Sequence, residues 1–335
     1  MTDDLDRVRG LMYGLAYGDA LAAPTEFIRD LPEIRRRFPP AGPTTLHQGR
    51  VTDDTQMALA VARALLATPQ LTAGAAVEPL RQEFVTWLHD PDNNRAPGMT
   101  CLTACRRLEA GGPWTRASVT ESKGCGANMR VQPAGVLPDA DARAGYAQLQ
   151  AALTHGHPTA LAAAELTAEA IWLLLGGMAP AALTDALIAH ARAQRTTYRA
   201  EWLGELWQVA GARSPETFIQ FGWDECLAVL ERLRAALDTP PAPDTDVCDL
   251  TGEGWIAEEA LASGLLCFLL TPEEPLEALR RAAVTRGDSD SLGCLAGSFA
   301  GAHLGLGAFP PEWAQQIEYR DELAACADAL TRRFA

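Results

Sequence analysis

The chain has no pattern that would point to a structural zinc site or to a membrane span. Its eight cysteines are scattered, without a CxxC pair and without a Cys/His pairing at zinc-finger spacing. The N-terminus, MTDDLDRVRG, is charged where a signal peptide needs an apolar core, and the most apolar run, 170–175, is too short to span a bilayer. These absences predict a reduced, cytoplasmic protein.

The chain also lacks an excess of basic residues. It has 28 basic and 43 acidic residues, so the formal net charge is -15, which repels polyphosphate backbones and disfavours a nonspecific nucleic-acid binder. A composition of 48% hydrophobic and 21% charged residues is typical of soluble globular proteins. The 335 residues are enough for one large domain or two ordinary ones.

Alternating β-branched runs of strand length are missing as well, so no sheet is predicted. Alanine and leucine recur at spacings of three and four, and the apolar positions of the segment from Met57 to Leu65 fall on one helical face. We therefore expect an all-α fold of about a dozen helices. The clearest patterns cover 158–175, 181–195, 226–237, 255–270 and 291–304. The proline-rich run 238–246 is predicted to be a loop.

Two acids stand side by side in VTDDTQMALAVARAL, which begins at Val51. Asp53 and Gln56 have the spacing of a capping box, so Asp53 could simply accept hydrogen bonds from the first amides of a helix. That explanation leaves Asp54 without a role beyond a favourable position at the positive end of the helix dipole.

A second segment near the C-terminus repeats this arrangement. Asp288, Asp290 and Ser291 directly precede a helix of small residues in RGDSDSLGCLAGSFAGAHLG. Carboxylates with neighbouring hydroxyls are the hard oxygen ligands that Mg²⁺ and Mn²⁺ prefer, and four buried acids without cations would repel one another strongly. Two unrelated acid N-caps remain the alternative.

Glycines recur at every fourth position near both ends of the chain. Gly297, Gly301 and Gly305 would share one helical face, and so would Gly14 and Gly18. In a soluble protein this spacing indicates that another helix crosses closely. Asp19 and Glu26 follow the first pair, and Glu26 is either a solvated loop acid or a proton-transfer group.

The segment SKGCGANMRVQPAGVL, 122–137, contains GxG but neither the third glycine nor the preceding strand of a dinucleotide-binding motif. A loop of small residues can still hold phosphate oxygens on its amide groups, and Arg130 or Lys123 could add positive charge. A plain turn is the alternative. In THGHP, His155 and His157 could be ligands, ribose contacts or helix-start residues.

The order of these segments resembles the ADP-ribosylglycohydrolase family from about residue 10 to about residue 310. The resemblance is carried by the following segments: GDALAAPTEF, VTDDTQMA, RAPGMT, GCGANMRVQPAGVL, THGHP, GEGWIAEEALASGL and GDSDSLGCLAGSFAGAHLG. It implies one compact orthogonal all-α domain, 1–335, with a cleft that holds two divalent cations, Mg²⁺ or Mn²⁺. It also implies hydrolysis of the glycosidic bond of an ADP-ribosylated acceptor, such as arginine or serine in a protein.

The resemblance assigns roles residue by residue. The implied metal ligands are Thr52, Asp53, Asp54, Asp288, Asp290 and Ser291. Glu26, Asp53 and Asp54 are the implied catalytic residues. The implied substrate contacts are Gly124, Cys125, Gly126, Ala127, Asn128, Met129, His155 and Trp255.

Four positions depart from the family pattern. Ser291 keeps the hydroxyl of the usual threonine, whereas Ala22 and Arg286 replace glycines. Ala96 occupies the position of an aspartate that is thought to aid proton transfer in relatives resembling the dinitrogenase reductase-activating glycohydrolase, which puts an arginine-linked substrate in doubt.

Alternative substrates are O-acetyl-ADP-ribose, ADP-ribose phosphate and ADP-ribosylated nucleic acid, and an alternative function is noncatalytic ADP-ribose binding. A generic dimetal phosphohydrolase would need His/Asp pairs that the sequence lacks.

Overall fold

The computed structural model describes residues 2–334, and within this range the regular structure is entirely helical. Thirteen helices have seven or more residues: α1 Thr2–Ala22, α2 Leu31–Arg37, α3 Asp53–Ala67, α4 Ala73–Leu88, α5 Met99–Glu109, α7 Ala140–Ala152, α8 Pro158–Leu175, α9 Pro180–Gln194, α12 Pro215–Asp238, α14 Ala257–Leu269, α15 Pro275–Ala283, α16 Ser289–Leu304 and α18 Arg320–Phe334. Five have four residues: α6 Trp114–Ala117, α10 Ala200–Leu203, α11 Leu206–Val209, α13 Cys248–Thr251 and α17 Trp313–Gln316. The all-α prediction is confirmed.

Four short 3₁₀ segments and two isolated bridges are the other regular features between residues 2 and 334. The 3₁₀ segments are Ala23–Thr25, Cys125–Ala127, Gln132–Val136 and Leu306–Ala308. The bridges join Val119 to His155 and Gly124 to Ile256, so they tie the loop before Cys125 to two other parts of the chain. The predicted loop 238–246 follows the end of α12.

Helix α8 lies inside the protein. It is long and apolar enough to cross a membrane by length and composition, but 78% of it is buried within the protein. A mostly buried core helix of a soluble protein has the same properties. Its apolar side chains belong to one continuous hydrophobic core that runs from Val8 to Leu330.

The packing of α1 against α16 brings the two ends of the chain together. Facing glycines form three pairs: Gly10 with Gly301, Gly14 with Gly297 and Gly18 with Gly293. A Cβ atom on any of these glycines would collide with the carbonyl oxygen of its partner, so the backbones are in direct contact. The predicted close helix crossing is confirmed.

Gly305 differs from this prediction, because it lies beyond the last residue of α16. It is the C-cap residue, with φ = 82°, a left-handed conformation that glycine adopts without steric cost. The helix therefore ends at Leu304, and the space for a Cβ on Gly305 is filled by the side chain of Asp6, although a Cβ on Gly10 of α1 would still collide with the backbone of Gly305.

Because α1 and α16 run antiparallel, the end of one helix lies beside the start of the other. The Ser289 hydroxyl donates to the carbonyl oxygen of Ala22 at 3.0 Å, and the Thr25 hydroxyl donates to Ser289 at 3.1 Å. The chain segment that carries Glu26 is thereby held next to the segment that carries Asp288 and Asp290.

Candidate active site

Helix α3 begins differently from the predicted capping box. Thr52, not Asp53, is the N-cap residue, and its hydroxyl accepts a hydrogen bond from the Asp54 amide at 3.2 Å. The Gln56 side chain turns away from the helix start and donates to the carbonyl oxygen of Asp92. The capping prediction for Asp53 is wrong because Thr52 already fills that position, and the Asp53 carboxylate is left to face a cleft.

The buried carboxylate of Asp19 fixes this helix start from the end of α1. It accepts from the amide of Thr52 at 3.0 and 3.1 Å, from the amide of Thr55 at 3.2 Å and from the Thr55 hydroxyl at 2.5 Å. Burial and the nearby Asp290 raise the pKa of Asp19 to about 7, against the effect of these hydrogen bonds. The sequence analysis gave Asp19 no role, because nothing in its neighbourhood along the chain indicates this contact.

Helix α16 places the second pair of acids. Asp288 occupies the N-cap position, but its side chain makes no capping hydrogen bond, and Asp290 lies in the first turn. Asp288 is thus an N-cap residue by position only, Asp53 is not one, and capping hydrogen bonds explain the side chain of neither.

The acids of both segments line one cavity of about 220 Å³, which we call the acidic cleft. The predicted site residues that line it are Glu26, Asp53, Asp54, Gly124, Cys125, Gly126, Met129, His155, Trp255, Asp288, Asp290 and Ser291. Ligand oxygens of Glu26, Asp288 and Asp290 lie within 4.8 Å of one another. Oδ2 of Asp54 and Oδ1 of Asp290 are buried and make no hydrogen bond.

Burial, and after it mutual repulsion, raises the pKa values of the acids in the acidic cleft. Burial, followed by the charge of Asp290, raises the pKa of Glu26 to about 9 and that of Asp53 to about 8. The same causes raise the pKa of Asp54, and burial raises that of Asp288 and Asp290. Unpartnered carboxylate oxygens that repel one another form a donor set that fits hard divalent cations.

The predicted phosphate-binding loop is brought to the acidic cleft only in part. Ala127 and Asn128 do not line it. The Asn128 side chain points into the protein, donating to the Ala257 carbonyl oxygen at 3.2 Å and accepting from the Thr167 hydroxyl at 2.7 Å. The amide of Cys125 donates to the carbonyl oxygen of Trp255 at 3.1 Å, so it holds the loop in place. The amides of Asn128 and Met129 donate to the carbonyl oxygen of Cys125, so they too are engaged within the protein.

Neither of the two cations near this loop is available for phosphate. The fully buried Arg130 donates to Gln150 and Thr154 through Nε and Nη2, at 2.7–2.9 Å. Lys123 pairs with Glu225 at 2.8 Å and also with Glu258. Neither cation lines the acidic cleft, because both side chains are held by other partners, and Arg130 affects the site only through its hydrogen bond to Cys101 and its charge.

His155 and Trp255 lie where the sequence analysis expected them, at the wall of the acidic cleft. Burial and the charge of Arg130 lower the pKa of His155 to about 3, so its ring is neutral, and Nδ1 pairs with the Thr154 hydroxyl at 2.8 Å. The guanidinium of Arg29 stacks on the Trp255 ring at 4.7 Å. His157 instead caps α8 by accepting from the Thr159 amide.

A second cavity of about 440 Å³, which we call the outer cavity, adjoins the acidic cleft. Glu26 and Ala96 line both, and Thr52 lines only the outer cavity. Ala96 has φ = 58°, a left-handed conformation that is uncommon for alanine. Thr52, one of the predicted cation ligands, therefore borders the outer cavity and not the acidic cleft.

Fold and site together define an all-α protein with a carboxylate-lined cleft at the junction of its two chain ends. The family model for ADP-ribosylglycohydrolase matches residues 1–335, and the chain belongs to that family.

Curated relatives agree with this assignment. The chain is 34% identical to the ADP-ribosyl-(dinitrogen reductase) glycohydrolase of Rhodospirillum rubrum over 180 residues, which cover 51% of this chain and 59% of that protein. The match thus spans less than two thirds of that relative. ADP-ribosylhydrolase ARH3 of Bos taurus is 27% identical over 98% of this chain and 93% of its own length.

A solved structure has the same fold along nearly the whole chain. It is titled ADP-ribosylglycohydrolase-related protein complex, and it superposes with a TM-score of 0.68 at 26% identity, covering 99% of both chains. The similarity therefore includes the segments at both chain ends that form the acidic cleft.

Proposed function

We propose that the protein hydrolyses the glycosidic bond of ADP-ribosylated acceptors and releases ADP-ribose, with two divalent cations, Mg²⁺ or Mn²⁺, as cofactors. The convergence of Asp53, Asp54, Asp288 and Asp290 beside the 124–126 loop in one cleft carries this proposal. Membership of the ADP-ribosylglycohydrolase family and similarity to ADP-ribosylhydrolase ARH3 support it.

The proposed cation ligands are Thr52, Asp53, Asp54, Asp288, Asp290 and Ser291. The unpartnered oxygens of Asp54 and Asp290 support this assignment, because buried carboxylate oxygens without a hydrogen bond are costly unless a cation neutralises them. Bound Mg²⁺ or Mn²⁺ would lower the pKa of water and offset the repulsion between the carboxylates.

In the reaction, the oxygen of water forms a bond with C1″ of the ribose while the bond from C1″ to the acceptor breaks, and the acceptor takes up a proton. Glu26 lies at the border of the acidic cleft and the outer cavity and is our candidate for the proton transfer. Asp53 and Asp54 stabilise the positive charge that develops on the ribose. The 124–126 loop, His155 and Trp255 orient the nucleotide.

The test is release of ADP-ribose from a panel of arginine-linked, serine-linked and phosphate-linked ADP-ribose and O-acetyl-ADP-ribose, with Mg²⁺ or Mn²⁺ and with EDTA. We expect at least one substrate to be cleaved with cation and none with EDTA, and Asp53→Ala or Asp288→Ala to lose about 10²-fold or more of the rate. The exposed acid Asp185 provides a matched control, Asp185→Ala, with wild-type activity. Full activity of Asp53→Ala and Asp288→Ala would refute the cation mechanism.

We also propose that the protein works in the cytoplasm on ADP-ribosylated proteins. All eight cysteines are buried and free of disulfide bonds, which fits a reducing compartment. Fractionation of the source cells, with an antibody against the chain, tests the location.

A further inference from the structure

The outer cavity meets the acidic cleft at Glu26, and the 124–126 loop lines the acidic cleft but not the outer cavity. Glu26 and Ala96 form the border between the two cavities, whereas Gly124 and Trp255 line only the acidic cleft. If the nucleotide lies on the loop, as the proposed function requires, the outer cavity is the adjoining space beyond Glu26 that remains for the group that leaves C1″.

The outer cavity is lined by two arginines and one acid, which is unusual for a protein with a net charge of -15. Arg50 is exposed at its rim, donates to Oδ1 of Asn94 at 3.2 Å, and has no carboxylate within 4.0 Å in residues 2–334. Arg95, in contrast, is neutralised by Glu318 at 2.6 Å. Glu26 is the one acid that lines this cavity in the described part of the chain.

The walls of the outer cavity offer apolar contact as well as charge. Phe27 follows Glu26 directly and has 65% of its surface exposed, which is high for an aromatic residue. Ala96 contributes only a methyl group at the border with the acidic cleft. A ligand in this cavity therefore meets the exposed aromatic ring of Phe27 and the guanidinium of Arg50, which has no ion-pair partner within 4.0 Å in residues 2–334 and feels the charge of Glu318 only from farther away.

We propose that the outer cavity receives the leaving acceptor and that Arg50 selects an oxygen-linked acceptor that carries a carboxylate or phosphate near the leaving oxygen. An arginine acceptor would bring its guanidinium towards Arg50, which repels it, and would find no acid other than Glu26. An oxygen-linked acceptor leaves as a hydroxyl: the bond from C1″ to its oxygen breaks, and that oxygen takes up a proton. The carboxylate or phosphate of the acceptor, next to that oxygen, then pairs with Arg50. This inference rests on the proposed function and adds the class of acceptor.

The experiment compares three ADP-ribosylated peptides with the full-length protein in Mg²⁺: serine-linked with flanking glutamates, serine-linked with flanking lysines, and arginine-linked. We expect the acidic serine-linked peptide to exceed the basic one in kcat/KM by about threefold to tenfold, and the arginine-linked peptide to be slowest. Arg50→Glu should reverse the order of the two serine-linked peptides, and Arg50→Ala should abolish the difference.

Two measurements separate charge selection from a structural effect. The preference should shrink at about 0.5 M NaCl, because salt screens exposed charges, whereas Arg50→Glu should bind ADP-ribose in calorimetry as tightly as the wild type. Arg213 is another exposed arginine, and Arg213→Ala should keep the wild-type preference. Equal rates on both serine-linked peptides, or an unchanged preference in Arg50→Glu, would overturn the acceptor inference alone. No turnover of any peptide, or of the wider panel above, would overturn the proposed function with it.

Discussion

Asp19, near the end of α1, holds the start of α3 in place beside the acidic cleft. Its carboxylate receives hydrogen bonds from Thr52 and Thr55, so it fixes the residue that precedes Asp53 and Asp54. Groups that orient metal ligands commonly change metal affinity by about 10–100-fold when they are removed. Asp19 is thus a positioning residue in our proposal.

We predict that Asp19→Asn weakens Mn²⁺ binding by about 10–100-fold, because an amide nitrogen cannot accept the hydrogen bonds that the carboxylate oxygen accepts. Calorimetric titration with Mn²⁺ measures this effect, and circular dichroism checks the fold. Thr55→Val removes the short hydroxyl contact but keeps the charge of Asp19, so it should also weaken binding. If both variants bind Mn²⁺ like the wild type, the positioning role is wrong.

At the residue scale, the sequence indicated which acids come together better than it indicated their hydrogen-bond partners. Pairs of acids next to hydroxyls at two helix starts indicated Asp53, Asp54, Asp288 and Asp290, and these residues line one cavity. Contacts between distant segments leave no local pattern, so Asp19 was missed. The orientation of a side chain around a helix or loop is equally invisible, which is why Asn128 was expected at the acidic cleft.

At the scale of elements, helix periodicity predicted α8 with its observed bounds, because Pro158 marks its first turn and an apolar stripe continues to Leu175. The start of α12 was placed too late, at 226. Ser214 and Thr217 form its capping box with a threonine in place of the usual glutamate or glutamine, so the helix start carried a weaker signal.

The contact between α1 and α16 is the element pair on which the site depends. We predict that Gly14→Ala lowers the free energy of unfolding by about 1–3 kcal/mol or more, because the added methyl group collides with the backbone of Gly297. Urea unfolding followed by circular dichroism measures this loss. The variant should also bind Mn²⁺ more weakly, because separating the helices moves Glu26 away from Asp288.

Gly74 in α4 is a matched control for the change at Gly14. An added Cβ there has no neighbour within 4 Å, so Gly74→Ala should keep or raise the stability, by up to about 1 kcal/mol, through helix propensity alone. Equal stability of Gly14→Ala and Gly74→Ala would mean that the glycine contacts do not hold the two helices together.

On the scale of the whole molecule, α1 and α16 link segments almost 300 residues apart in the sequence, and one hydrophobic core extends across them. This arrangement supports the prediction that 1–335 is a single domain. Such a domain should unfold in one cooperative transition, with equal calorimetric and van't Hoff enthalpies. Two separate transitions would indicate two domains.

The cluster of acids also ties the stability of the whole protein to pH and to cations. Burial and mutual repulsion raise the folded-state pKa of Asp53 to about 8 and of Glu26 to about 9, above the values of an unfolded chain. A carboxyl group with a raised folded-state pKa destabilises the fold once it must ionise. Metal-free protein should therefore lose stability as the pH rises from about 4 to about 9.

Mg²⁺ or Mn²⁺ should act against this loss, because a cation binds the ionised carboxylates of the folded state and competes with protons for them. We predict that the rise in Tm on adding Mn²⁺ is small at pH 6 and grows towards pH 8.5, where stabilisation approaches about 2.7 kcal/mol at a free concentration a hundred times the Kd. Differential scanning calorimetry with EDTA or Mn²⁺ at each pH measures it. Asp53→Asn combined with Asp288→Asn removes two of the acids, and this variant should show a flatter dependence on both pH and Mn²⁺. An equal rise in Tm at both pH values would mean that the clustered carboxylates are not where the cation binds.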